Sequence, residues 1–144
     1  MMRKHTGLLM IPVLLVRALP LLAHHVIDGA YDTSKIVSIR GTVVKIEVRN
    51  PHIHVYLDTT NPDGTVTHWD IETFAPQHFT DPLKVDLKTV QKNLFLRAGD
   101  TISADVYVSK SKPGQAANRR WILQDGRMIQ ERHVHKVNGI LETY

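Results

Sequence analysis

The span from His52 to Glu72 constrains the fold more than any other part of the chain. Ile53, Val55 and Leu57 alternate with His52, His54 and Tyr56, and on the return Trp69 and Ile71 alternate with His68, Asp70 and Glu72. A two-residue period of this kind specifies β-strands with one apolar face. Between them, Asn61-Pro62-Asp63-Gly64 suits a type I turn with Pro second and a left-handed Gly closing it, which makes a three-residue hairpin loop with a bulge. The turn fixes the register. Leu57 should face Trp69 and Val55 face Ile71 on the core side, with His54 against Glu72 and Asp58 against His68 outside. A slip of one residue would bury the charged set.

The flanking segments continue the β pattern. Ile36 to Arg49 is strand-like, and Gly41 within it suggests a bulge or a sharp bend, as a strand serving two sides of a barrel requires. After the hairpin, Ala75 to Phe79 suits one turn of helix and Asp81-Pro82 should break it. Asp86 then caps a short helix carrying Leu87, Val90 and Leu94. Thr101 to Val108 alternates as a strand, Lys110 to Asn118 reads as an exposed loop, and Arg119 to Gln124 and Arg127 to Glu131 flank Asp125-Gly126, a two-residue hairpin signal. The order of strands with one helix after the third is that of a mainly β, OB-like five-stranded antiparallel barrel, the short helix lying between strands 3 and 4. An open antiparallel sheet packed on one helix is the other solution.

The first 23 residues have their own logic. Arg3 and Lys4 precede the apolar run Leu8 to Val16, and a small residue, Ala23, closes the segment, which is the layout of a secretory signal peptide. The run is too short to span a bilayer, which takes about 20 apolar residues. Cleavage after Ala23 would leave His24-His25 at the mature amino terminus, a domain over 24–131, and a tail over 132–144, in the periplasm or secreted. Without Arg3, Lys4 and Arg17 the 18 basic residues fall to 15 against 14 acidic ones, a net +1. A near-neutral chain lacks the phosphate-neutralising charge on which nucleic-acid affinity rests, so that class of partner is disfavoured. There is no cysteine, so any metal site must use His, carboxylate, backbone or the terminal amine.

Ala23-His24-His25, Gly41-Thr42-Val43, Asn50-Pro51-His52, Trp69-Asp70-Ile71-Glu72, Ala98-Gly99-Asp100 and Leu123-Gln124-Asp125-Gly126, in that order, resemble a large family of small exported bacterial proteins of unknown function. That family carries Ala-His-His at the mature start and Gly-x-Val followed by Asn-Pro-His. The resemblance covers residues 23 to 130 and implies export and the fold, but no catalytic residues. Val26-Ile27 stands where the family has Ser-Phe, and Arg49 where it has an aromatic.

The candidate chemistry is metal binding by His24, His25, His52, His54 and Glu72. A mature terminal His offers an amine and an imidazole, and a further His completes a three-nitrogen site for which copper is the natural occupant. His52 and His54, two apart on a strand, share a face with Glu72 across from them. The bland counterpart is a pair of surface histidines on a flexible arm and an ordinary cross-strand contact. A second class of function is a non-metal module binding a partner protein, glycan or oligonucleotide on the hairpin face, where Tyr56, Asp70 or Arg120 would matter. Lys110, Lys112, Arg119 and Arg120 with Trp121 offer a small nucleic-acid or anionic-glycan patch, for which a solvated basic loop is the favoured reading. A third, a copper oxygenase, lacks paired groups for substrate activation, and an enzyme is disfavoured. The pattern places Trp69 in the core.

Overall fold

The computed structural model describes residues 26–130 and the strand residues 134–137 and 140–143. The leader, His24, His25 and His133 lie outside the described residues, as does the export they bear on. In order, the elements are α1 (Val26–Ala30), β1 (Val37–Val48), β2 (Ile53–Thr60), β3 (Val66–Glu72), α2 (Gln77–Leu83), α3 (Leu87–Asn93), β4 (Thr101–Val108), β5 (Gln115–Ile122), β6 (Met128–Ile129), β7 (Val134–Val137) and β8 (Ile140–Thr143). No helix among the described residues is long and apolar enough to cross a membrane.

The six strands β3-β2-β1-β4-β5-β6 form one sheet, and a further pairing of β3 with β5 closes the first five into a barrel. Every seam of the barrel is antiparallel except this closing one, which is parallel over Asp70–Glu72 and Gln115–Ala117. A ring with an odd number of strands cannot alternate all the way round, so one parallel seam is obligatory. The OB-type barrel read from the sequence is therefore present, with a mixed rather than wholly antiparallel sheet.

The hairpin has the register its turn dictates: Leu57 pairs with Trp69, Val55 with Ile71, His54 with Glu72 and Asp58 with His68. The Gly64 amide donates to the Asn61 carbonyl at 2.9 Å, and Gly64 holds a φ of 83°, the left-handed value that a side chain would resist. Ile53, Val55, Leu57 and Ile71 are wholly buried. Around them pack Phe74, Phe79 and Leu94 from the helical segment, with the Phe74 and Phe79 rings edge-on at 5.9 Å. Trp69 is partly buried against this core, while Trp121 lies fully inside it.

β1 pairs with β4 through its first half and with β2 through its second, so it serves two sides of the barrel. The bulge falls at Val44 rather than Gly41, since Val43 opposes Leu57 and Lys45 opposes Tyr56. Gly41 answers a different need. A Cβ there would stand 2.2 Å from the Asp58 carbonyl oxygen, so only glycine lets the two backbones meet.

The helical segment departs from expectation in one respect. α2 runs through Asp81-Pro82 to Leu83, because a proline this close to a helix end removes few bonds and Lys84, at a φ of 53°, terminates the helix. α3 has its Asp86 cap, the carboxylate accepting from the Thr89 amide at 2.8 Å. β5 starts at Gln115, within the stretch read as loop, since Ala116 and Ala117 are small and apolar enough to be buried on the barrel. The Asp125-Gly126 turn is a three-residue loop, with the Leu123 amide donating to Arg127 and Gly126 left-handed at 84°. Val134–Val137 and Ile140–Thr143, which carry no firm sequence pattern, pair antiparallel as the two-stranded sheet β7–β8.

Candidate functional site

The outer face of β2 and β3 is a ladder of three His–carboxylate pairs. His52 Nδ1 contacts Glu72 Oε1, His54 Nδ1 meets Asp70 Oδ1 at 2.6 Å, and His68 Nδ1 meets Asp58 Oδ1 at 2.7 Å. His54 is directly across from Glu72 in the backbone register, yet its ring reaches diagonally to Asp70 and leaves Glu72 to His52. Diagonal neighbours on a strand pair lie within reach of a long side chain. The expected His54–Glu72 contact is thus replaced by two offset ones. A carboxylate at Nδ1 favours, in a neutral ring, the tautomer protonated there, which keeps the Nε2 lone pair available.

The segment from 26 to 32 closes over one edge of this ladder. α1 leads into Tyr31, which bridges to Ser109; the Asp32 amide donates to the Val108 carbonyl at 2.9 Å and the Lys110 amide to the Ala30 carbonyl at 3.0 Å. Lys110 Nζ also donates to the Asp28 carbonyl at 2.6 Å. The Tyr31 hydroxyl donates to Glu72 Oε2 at 2.8 Å. Burial, followed by that hydrogen bond to an anionic partner, pushes the Tyr31 hydroxyl well above the usual tyrosine range. Glu72 is therefore held at both oxygens, by Tyr31 and by His52.

This arrangement divides the site in two. On one side of Glu72, a cleft of about 50 Å³ is lined by Ile27, His52, Thr73, Asn118 and Arg119. The Asn118 Oδ1 atom is buried without a partner among the described residues. On the other side, a cavity of about 270 Å³ is lined by Tyr31, His54, Asp70, Ser109, Ser111, Lys112 and Gln115. Among the described residues, no three His, Asp or Glu side chains converge to hold a metal. His52, His54 and Glu72 are thus neighbours on one face, but His52 and His54 open into different hollows. His24 and His25 lie outside the described residues, directly before α1.

The basic patch does not survive as a stacking surface. Trp121 is 0% exposed, its Nε1 donating to Thr73 Oγ1 at 3.2 Å. Arg120 turns back onto the buried Asp105, with Nε at 2.8 Å from Oδ2, while Ser38 donates to the other oxygen at 2.6 Å. Tyr56 donates to Glu47 Oε2 at 2.9 Å and lies under Lys45 Nζ. The residues that sequence reasoning passed over are Tyr31, Ser109, Ser111 and Gln115. Nothing local marks Tyr31, because its role exists only once the arm has folded back 41 residues away from Glu72.

Residues 13–118 match the model of a family of unknown function (DUF6152). The chain belongs to that family. The matched span contains the arm, the hairpin and the residues lining both hollows beside Glu72 except Arg119, which follows its last residue. The chain is also similar to crystal structures of the mitochondrial single-stranded DNA binding protein Rim1 from S. cerevisiae. One, in its Form2 crystals, has 10% identity and a TM-score of 0.43, covering 68% of this chain and 96% of that one. Another, in Form1 crystals, has 11% identity and a TM-score of 0.40, with the same coverage. At that distance nothing about ligands passes from Rim1 to the DUF6152 chain. No curated protein matches.

Proposed function

We propose that this chain is a small exported, periplasmic binding module that takes a divalent metal, copper foremost, where its amino-terminal arm meets the hairpin. The observation that carries the reading is the cleft shared by Ile27, His52 and Glu72. A chain extends at most ~3.6 Å per residue, so His25 and His24 stand within roughly 7 and 11 Å of Ile27 along the backbone. With the leader removed after Ala23, the His24 amine and imidazole supply two nitrogens and His52 Nε2 a third. The Glu72 carboxylate on His52 Nδ1 is the second partner that metal-bound imidazoles characteristically have, fixing ring orientation and raising basicity.

Copper suits nitrogen donors and tops the divalent affinity series. A terminal amine with a reference pKa of about 7.7–8.0 loses its proton to the metal at modest cost near neutral pH. His54, turned to Asp70 in the neighbouring cavity, is not needed for this set.

The test is to extend the mature chain by one glycine before His24 and to measure Cu(II) affinity by competition with a weak chelator. The extension should weaken binding by about a hundredfold, the scale of losing one ligand or its support. Undiminished affinity would remove the terminal amine, and with it this reading.

A further inference from the structure

The cavity on the far side of Glu72 has a composition of its own. One wall, from β3, presents the carboxylates of Asp70 and Glu72, whose side chains are 26% and 28% exposed, sheltered but open to the hollow. The other, from the loop between β4 and β5, presents Lys112 with the hydroxyls of Ser109 and Ser111. Lys112 Nζ has no ion-pair partner among the described residues. Two carboxylates and the exposed Lys112 thus line one hollow of about 270 Å³, a volume near the low end of small-molecule pockets.

We propose that this cavity binds a small zwitterionic amine of the α-amino acid class, its ammonium between Asp70 and Glu72 and its carboxylate on Lys112. Each carboxylate oxygen has two lone-pair sites, so Asp70 keeps acceptors beyond the one used by His54, and Glu72 beyond those used by His52 and Tyr31. Three ammonium protons need such a surplus of acceptors. A simple anion would meet two carboxylates. A simple cation would leave Lys112 uncompensated, and a neutral polyol would leave both walls without their charge partners. A metal cation has less to hold it, because among the described residues no three ligand side chains converge there. With Ala30 as the one aliphatic lining residue, the cavity suits a ligand with a short side chain.

The inference shares Glu72 with the metal reading but turns on Asp70 and Lys112, which that reading does not use, and it is tested on metal-free protein. The experiment uses the exported protein stripped of metal by EDTA and dialysed, followed by backbone amide NMR titration with L-alanine, ethylamine, propionate and xylitol. L-alanine should give saturable shifts at Tyr31 and Gln115, with ethylamine about tenfold weaker, the worth of one charge-assisted contact, and propionate and xylitol inactive. Lys112→Met should reduce L-alanine to the level of ethylamine and leave ethylamine unchanged, while Asp70→Asn should abolish both without altering the spectrum of the core. The proposal is overturned if L-alanine leaves the cavity amides unmoved at about 10 mM, where a ~1 mM site would be largely filled. It is equally overturned if xylitol or propionate binds as well as L-alanine, or if Lys112→Met leaves L-alanine binding intact.

Discussion

Tyr31 and Glu72, 41 residues apart, are joined by a 2.8 Å hydrogen bond that ties the amino-terminal arm to the hairpin. The bond holds one oxygen of the carboxylate whose other oxygen orients His52. Arm position and imidazole orientation are therefore one structural event.

Removing the hydroxyl separates them. Tyr31→Phe keeps the buried ring and loses a hydrogen bond to a charged acceptor, which should cost about 1.5 kcal/mol in urea unfolding. Amide exchange should rise over residues 26–32 and stay unchanged in β1. A uniform rise would mean that the arm is not a separate unit.

Gly41→Ala should be costly because its new Cβ would sit 2.2 Å from the backbone oxygen of Asp58, which is tied into the β1–β2 ladder. About 3 kcal/mol is expected, the upper range for overpacking. Gly29→Ala, where a Cβ meets nothing within 4 Å and the backbone is helical, is the control and should not lower the urea midpoint.

Arg120→Ala strands the buried Asp105. The Arg120 side chain is 30% exposed, so about 3 kcal/mol, the low end for breaking a buried pair, is expected at pH 7. Ser38 first, then Arg120, hold the Asp105 carboxyl below the usual aspartate range. A depressed carboxylate contributes stability that is full above its unfolded value of about 3.9 and fades as pH falls through the folded value. The parent should therefore lose stability below about pH 4, and Arg120→Ala should lose less over that interval. Parallel pH profiles would contradict this.

Trp121→Phe removes the indole donor to Thr73 and leaves part of a fully buried site empty. About 2 kcal/mol is expected from the two effects together. In the Trp69→Phe background, the remaining Trp121 emission should be blue-shifted and resist iodide quenching; ready quenching would restore Trp121 as a surface group.

The contrast between the two tryptophans shows what the sequence could and could not convey. The His52–Glu72 hairpin was legible because alternation and turn chemistry are local, and together they leave one register. The OB-type order followed from five strands and a helix after the third. Trp121 was obscured by its neighbours Arg119 and Arg120, whose charge suggests a surface, although strand alternation turns Trp121 inward beside Arg120 and Arg119 is the exposed residue left unpaired where the register shifts. The site was legible as a face and not as contacts. Register placed His54 opposite Glu72, but which carboxylate each ring takes depends on side-chain reach and on Tyr31 arriving from the arm. The cavity wall supplied by Ser109, Ser111 and Lys112 likewise depends on barrel closure between β3 and β5, a long-range pairing with no local signal.

We propose that a mature amino terminus at His24 completes a metal site with His52. Native mass spectrometry of protein exported from its own leader, with and without one equivalent of Cu(II), tests it most directly. The exported chain should begin at His24, retain one copper against a weak chelator, and lose it in His52→Ala. A chain with a different start, or one that releases the copper, would contradict it.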